Sequence, residues 1–383
     1  MQREVNYVSL HEIINAMIAK QLFNLVKSAL WQTMADASLF GEQTDWQAIY
    51  KLARKQTVVG IAYDGMLTLP TELQPTRALL LQWSNSLMLC EDNNHLLNER
   101  IETLFQHYQT AGLKPLLLKG QGVAQNYPHP EHRQPGDIDV YIGKQDYERA
   151  NQLLAELGGE IESESVKHSH GHWQGVTVEN HYLLTQFASP SANRFLRKEV
   201  LPLLTSNRTV IIEGNAIPVL PLEVDVFFVL VHLALHFLSG GIGLRQLCDW
   251  TCLLHAHAGQ IDKDEVVRLL QGVGLLQAAK AVGAIVVNHL GLPQEELPFT
   301  LDDADEQRGE WLLTDILQGG NFGFHGSFRR NRPNGRISGR WYTFTQTVKR
   351  CREYYTLAPA EACWHPLKLI KTFVMIRLNR WFA

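Results

Sequence analysis

Two aspartates one residue apart, Asp137 and Asp139, stand in the segment DIDVYI, where carboxylates alternate with Ile, Val and an aromatic. That alternation predicts a strand, and side chains two apart on a strand point to the same side. The carboxylates then share one face while Ile138 and Val140 take the other. Carboxylates held this close repel each other, and a divalent cation between them relieves the repulsion. Oxygen donors of this kind suit Mg²⁺ (or Mn²⁺), which completes its shell with water and phosphate oxygens. Glu179 and His181 repeat the spacing in VTVENHYLL, a second predicted strand. If the two strands are neighbours, Glu179 supplies a third carboxylate to the same centre. Two cations bridging Asp137, Asp139 and Glu179 would support in-line attack on an α-phosphate, with Glu179 or the far oxygen of Asp139 helping to deprotonate an acceptor hydroxyl.

Upstream, Lys119-Gly120-Gln121-Gly122 closes the apolar run KPLLL at a predicted strand-to-helix junction. Glycines there let the backbone approach a ligand, N–H groups at a helix start favour anions, and Lys119 adds a charge suited to phosphate. An ordinary tight turn with a surface lysine has the same composition. The segment is neither a Gly-x-x-x-x-Gly-Lys-Ser/Thr loop nor a Gly-x-Gly-x-x-Gly fingerprint. Arg133 lies in the turn-rich PHPEHRQPG before the aspartates, placed to meet phosphates or to brace Asp137.

His168, His170 and His172 alternate as well. With His181 nearby they read as a transition-metal site, as phosphate-contacting or proton-shuttling rings beside the carboxylates, or as a solvated polar loop. His232 and His236 are four apart on a predicted helix, a spacing shared by metal ligands and by core histidines, and no glutamate follows His232 as in zinc proteases. Arg245 and Asp249, also four apart, predict a helix-face ion pair.

The elements that position these residues fall into blocks. Residues 9 to 110 carry apolar residues at helical spacing, with Gly112 as a stop. From 112 to about 185 the pattern changes to strand, short helix at 122–127, turn, strand, amphipathic helix ending at Gly158-Gly159, and two further strands. TVIIEGNAIPVL predicts a hairpin with Gly-Asn at its turn. Residues 221 to 291 return to helices, and 319–340 reads as a loop by its Gly, Arg and Asn content. The expected fold class is α+β: a small mixed sheet flanked by N- and C-terminal helical regions. The expected divisions are 1–111, 112–220, 221–318 and 319–383.

With 383 residues, 45% of them hydrophobic, the chain can bury a large core without staples. Five scattered cysteines predict reduced, buried thiols and a cytoplasmic setting. The N-terminus lacks the pattern of a secretory signal, and the apolar run 224–235, broken by Asp225 and His232, is too short for a transmembrane segment. The net charge of -4 implies no polyanion partner by itself, but it is unevenly spread. From Arg329 onward twelve Lys and Arg face two Glu, a net +10 that leaves -14 on the remainder. Such a tail suits phosphate, nucleic acid or a membrane surface, or docks on the acidic body. The aromatics among these cations, such as Trp341, Tyr354 and Trp364, are read as packing a terminal helix.

The stretch LLLKGQGVAQNYPHPEHRQPGDIDVYI resembles the nucleotidyltransferase superfamily that includes DNA polymerase beta. It is most similar to an uncharacterised bacterial branch with a Lys-Gly turn, a downstream Arg, an Asp-hydrophobic-Asp strand and a Val-Glu-x-His strand. Here these are Lys119-Gly120, Arg133, Asp137-Ile138-Asp139 and Val178-Glu179-Asn180-His181, and HLALHFLSGGIGLRQLCDWTCLLH resembles the branch's helical region. The resemblance covers roughly residues 20 to 290. It implies Asp137, Asp139 and Glu179 as metal ligands and a triphosphate, of ATP or another NTP, held by the 120–122 turn. It also implies that Arg245 and Asp249 line the nucleotide cleft. Two positions depart from the superfamily's pattern: Gln121 replaces a second small residue, and Glu179 replaces the usual aspartate. The implied activity is transfer of a nucleoside monophosphate to an acceptor such as a sugar, a small metabolite, a peptide or an RNA end. A nucleotide-sensing protein without turnover and a toxin-like tRNA-modifying enzyme, docked through the basic tail, are the competing accounts.

Overall fold

In DIDVYI one set of alternating side chains is apolar and the other polar, and in VTVENHYLL Val176 and Val178 alternate with Thr177, Glu179 and His181, so each strand needs a core on one side only. A computed structural model, describing residues 10–165, 167–205, 207–319 and 335–379, shows how that need is met. Strands β1 (Leu116–Leu118), β2 (Ile138–Tyr141), β3 (Glu160–Glu164), β4 (His168–Trp173) and β5 (Val176–His181) form one sheet in the order β1-β2-β5-β4-β3. Only β2 and β5 run parallel; the other neighbours are antiparallel. The expected α+β class with a mixed sheet and helical flanks is what is observed.

Before the sheet come α1 (Leu10–Leu30), α2 (Trp46–Lys55), α3 (Val59–Leu67) and the long α4 (Arg77–Thr110). Along α4, Leu87, Cys90, Asn94, Leu97, Ile101, Leu104 and Tyr108 are buried at intervals of three or four, a single inward stripe. It ends at Gly112, with φ +76°, where the Leu113 N–H turns back to the Tyr108 carbonyl at 2.9 Å. The second half of α4 and α6 (Tyr147–Glu156) cover the apolar face of the sheet. Ile138, Val140 and Val178 pack there with Ile101, Leu104 and Leu154. Between these, α5 (Gly120–Ala124) is a helix of five residues, placed earlier than expected.

After α7 (Pro190–Phe195), β6 (Thr209–Ile212) and β7 (Asn215–Pro218) make the expected hairpin, but its turn is Glu213-Gly214. Both have positive φ, as a tight two-residue turn requires, and Asn215 already belongs to the strand. The apolar run 224–235 lies in α8 (Leu222–Ser239), a buried helix. It packs with α9 (Leu244–Ala256), α10 (Lys263–Gly272), α11 (Leu276–Asn288) and α12 (Asp303–Gly319) in a larger core shared with α1–α3.

Part of the basic tail docks on this body. In α13 (Arg336–Glu353), Arg350 donates to the Phe237 carbonyl at 2.6 Å and to Asp315 at 3.1 Å, and Tyr354 just beyond is fully buried. In α14 (Pro359–Asn379), Glu361 accepts the Ser189 N–H at 3.0 Å. Trp341, Tyr355 and Trp364 are exposed. Arg329, Arg330, Arg332, Arg380 and Trp381 lie outside the described residues, as do 320–334 of the expected 319–340 loop, but its described ends are helical: Gly319 closes α12 and 336–340 open α13. Four of the five cysteines are buried and none is bridged. Among the described residues no helix is long and apolar enough to cross a membrane.

Candidate active site

The sheet's register builds the site. Parallel pairing sets Asp139 beside Glu179 and Tyr141 beside His181, and strands paired in register keep partners on one face. On the antiparallel side of β5, His168 stands opposite His181. Asp137, two residues before Asp139, brings its carboxylate to the same place, so that oxygens of Asp137, Asp139 and Glu179 lie within 4.8 Å of one another. The chain leaves β1 through Lys119, at φ +42° and ψ -141°, and Gly120, at φ +49°. Such a backbone at a lysine costs roughly 1–3 kcal/mol and persists only where its surroundings hold it. The holding group is Asp139: the Lys119 ammonium stands 2.9 Å from its Oδ2.

Asp139 is buried, and its other oxygen accepts from His181 Nε2 at 2.9 Å. Burial pushes its carboxyl up, but the Lys119 charge and the His181 hydrogen bond hold it below the usual aspartate range. Burial disfavours the Lys119 charge, yet Asp139, Asp137 and Glu179 together raise its pKa above the ordinary lysine value. For Glu179, burial pushes up, but the His181 hydrogen bond with the His168 and Lys119 charges outweighs it, so this carboxyl too is held down. Both neighbours of the centre are thus anionic near neutral pH. His168 is pushed down to about 4 by burial and by His181, which keeps its imidazole neutral. Three carboxylates on adjacent backbone positions are the donor set a hard divalent ion takes. Asp139 Oδ2 is buried with the Lys119 ammonium 2.9 Å away, so an ion that reaches this oxygen displaces the ammonium.

Helices α8 and α9 roof this face. They enclose a cleft of about 270 Å³ with Val229, His232 and His236 of α8 and Arg245 and Gln246 of α9 on its walls. Burial and then the Lys119 charge push the His236 imidazole down to about 4 and the His232 imidazole well below its usual value. The loop before β2 is tied to α9 at two points. Arg133 donates from Nε to Asp249 Oδ1 at 2.6 Å and from Nη2 to Oδ2 at 2.8 Å, and the Tyr127 hydroxyl adds 2.7 Å to Oδ1. Arg245 donates to the carbonyls of Gln134 at 2.8 Å and Pro135 at 3.3 Å.

A family model described as "uncharacterised nucleotidyltransferase" matches residues 42–291, about two thirds of the chain. The chain belongs to this nucleotidyltransferase family. No curated protein and no solved structure matches it. Membership makes nucleotidyl transfer the chemistry against which the cleft is to be read.

In this nucleotidyltransferase the geometry brings together Asp137, Asp139, Glu179, His181, Lys119 and Gly120, with Arg133, Arg245 and Asp249 on the cleft wall. Several expectations need correction. Lys119 is not the surface lysine of an ordinary turn: it lines the cleft with its ammonium 2.9 Å from Asp139. Gln121 is buried and donates to Asn98 at 2.7 Å, and a Cβ on Gly122 would touch Val219 and Leu117. Both therefore face packing rather than the cleft, and a five-residue helix presents no extended N-terminus to a triphosphate. Arg133 braces α9 instead of Asp137, and it takes Asp249 from the expected helix-face pair with Arg245. Of the three alternating histidines only His168 joins the centre; His170 and His172 lie toward Glu162 at the sheet's edge. The reading of that segment as a loop is overturned by β3 and β4. Lys167 and Gln246 on the cleft wall were not anticipated, and no spacing in their neighbourhoods points to them. His232 and His236 had their spacing as a signal and line the cleft rather than the core alone.

Proposed function

We propose that the chain moves a nucleoside monophosphate from an NTP, ATP by first choice, to an acceptor hydroxyl and releases pyrophosphate. Residues 112–220 form its catalytic core. The observation that carries this reading is the side-by-side placement of Asp139 and Glu179, with Asp137 two residues away, in a member of a nucleotidyltransferase family. Asp137, Asp139 and Glu179 would hold Mg²⁺ or Mn²⁺. A divalent ion bound there supplies charge neutralisation to the phosphates and alignment to the reacting groups. Glu179, with 14% of its side chain exposed against 1% for Asp139, is the carboxylate open enough to accept the hydroxyl proton. The hydroxyl oxygen then bonds to the α-phosphorus as the bond to the β-phosphate oxygen breaks. His181 holds Asp139 in place, and Lys119, Lys167 and Arg245 give the cleft the positive charge that phosphates need.

One observation favours a second reading, nucleotide binding without turnover: the Lys119 ammonium occupies the carboxylate oxygen that a metal would use. The two separate in one experiment. Purified protein is incubated with α-labelled NTPs, Mg²⁺ or Mn²⁺ and a cell lysate, and transfer of label to any acceptor is followed. The reading predicts transfer that the Asp137→Asn/Asp139→Asn double variant loses while its circular dichroism is unchanged. Undiminished transfer by that variant refutes the assignment, and nucleotide binding without transfer establishes the second reading.

A further inference from the structure

Glu179 faces two ways. On one side are Asp137 and Asp139; on the other are His168 and His181, whose ligand nitrogens and the Glu179 carboxylate lie within 4.8 Å of one another. We propose that His168, Glu179 and His181 form a second metal position that takes a nitrogen-accepting ion, Mn²⁺, Co²⁺ or Zn²⁺, in preference to Mg²⁺. This rests on the transfer reading above only in that both use Glu179 and His181.

The geometry is set by strand register rather than by a loop. His168 and His181 are directly opposed on β4 and β5, and Glu179 precedes His181 by two residues on the same face. His168 Nδ1 lies 3.2 Å and His181 Nε2 lies 3.4 Å from the same oxygen, Oε2 of Glu179. The two rings meet edge to face at 4.6 Å between centroids. Side-chain exposure is 14% for His168 and 2% for His181, so water does not compete freely for either. His168 Nδ1 is buried and, despite its distance to Glu179, makes no hydrogen bond of acceptable geometry. A buried polar atom without a partner is rare enough in folded proteins to call for an unplaced ion or water. Two imidazoles and one carboxylate suit Mn²⁺, Co²⁺ and Zn²⁺, whereas Mg²⁺ prefers oxygen alone. Coordination at His181 Nε2 replaces the hydrogen bond now made to Asp139, with the imidazole proton moving to Nδ1. The remaining histidines of the row serve as internal controls, because His170 and His172 lie toward Glu162.

The test uses full-length, untagged protein free of nucleotide, titrated with Co²⁺ and followed by visible absorption, with Mg²⁺ and Zn²⁺ as competitors. The expected result is a ligand-field band at one equivalent that Zn²⁺ abolishes and that a large excess of Mg²⁺ leaves in place. His168→Ala and His181→Ala should each weaken Co²⁺ binding by about 100-fold, since each removes a direct ligand where loss of an outer-shell partner already costs 10–100-fold. His168→Gln provides a milder variant should the alanine protein fail to fold, and His170→Ala should bind as wild type does. A band that survives in both the His168 and His181 variants, or that Mg²⁺ removes, overturns the proposal. Label transfer that depends on Asp137 and Asp139 but comes without the Co²⁺ band sinks this inference and leaves the transferase reading standing. A histidine-dependent band in a protein that transfers nothing does the reverse.

Discussion

Lys119→Met removes the ammonium seated on Asp139 while keeping the length and apolar stem of the side chain. For a divalent ion to reach Asp139 Oδ2, the ammonium 2.9 Å away must leave, so its contact with that carboxylate opposes metal binding. A hydrogen-bonded or close contact to a charged group contributes about 1.5–3 kcal/mol. With 20% of the Lys119 side chain exposed, solvent screens part of this, and the lower portion, about 1.5–2 kcal/mol, is the working range. At about 1.4 kcal/mol per factor of ten, Mn²⁺ should bind the nucleotide-free variant about 10- to 30-fold more tightly than wild type. Free Mn²⁺ measured by electron paramagnetic resonance at fixed protein concentration reads this directly. Transfer should move the other way, because the displaced ammonium is left in the cleft beside the phosphates, and its loss lowers kcat/KM. An Mn²⁺ affinity that is unchanged or weaker in Lys119→Met would refute the reasoning: the lysine would then be no competitor, and Asp139 no ligand.

Three further outcomes follow from buried contacts. Arg133→Met takes from buried Asp249 its bidentate partner and should cost about 3–5 kcal/mol in urea unfolding, much of it regained in Arg133→Met/Asp249→Leu. The same pair has a pH signature: burial raises the Asp249 carboxyl but Arg133 brings it below the usual value, so its stabilisation is complete above about pH 4, the unfolded aspartate range, and is lost as pH falls through the lower folded value. Asp249→Asn should flatten that acid limb, and an acid limb identical to wild type would exclude the pair as its source. At the α1–α3 crossing a Cβ on Gly65 would overlap the Leu25 carbonyl, so Gly65→Ala should lose about 1–3 kcal/mol by overpacking while Gly41→Ala, with nothing nearby, loses little.

What the sequence made legible was what is periodic. Asp137, Asp139 and Glu179 could be placed because strand alternation is a two-residue rule, and the end of α4 because a glycine follows a long apolar stripe. What escaped it depended on contacts far along the chain or on a single unusual backbone angle. The expected partner of Asp249 was four residues away; the actual one, Arg133, is 116 away and wins because its guanidinium meets both carboxylate oxygens. Lys119 was expected to point at a ligand, and only its positive φ turns it onto Asp139. The strand Glu160–Glu164 reads as solvated because it is an edge, where charged side chains block pairing with another chain.

The register of β5 is the feature on which every feature of the centre converges, and a polar residue on the apolar face helps to fix it. A slip of one residue against β2 would send Glu179 and His181 into the core and bring Val178 and Asn180 into the cleft. Apolar packing alone discriminates weakly here, since β5 alternates Val178 with Asn180 on its buried side. Asn180 is fully buried, and it accepts from the Tyr108 hydroxyl at 2.9 Å and donates to Asn151 at 3.0 Å. Ser169 of β4 donates to the same Asn151 oxygen at 2.7 Å. Any other register strands these groups without partners, at about 1–3 kcal/mol for each buried polar group left unsatisfied. The network therefore selects the one alignment that sets Glu179 beside Asp139 and opposes His168 to His181. The polar residues beneath the sheet thus position the charged ones above it.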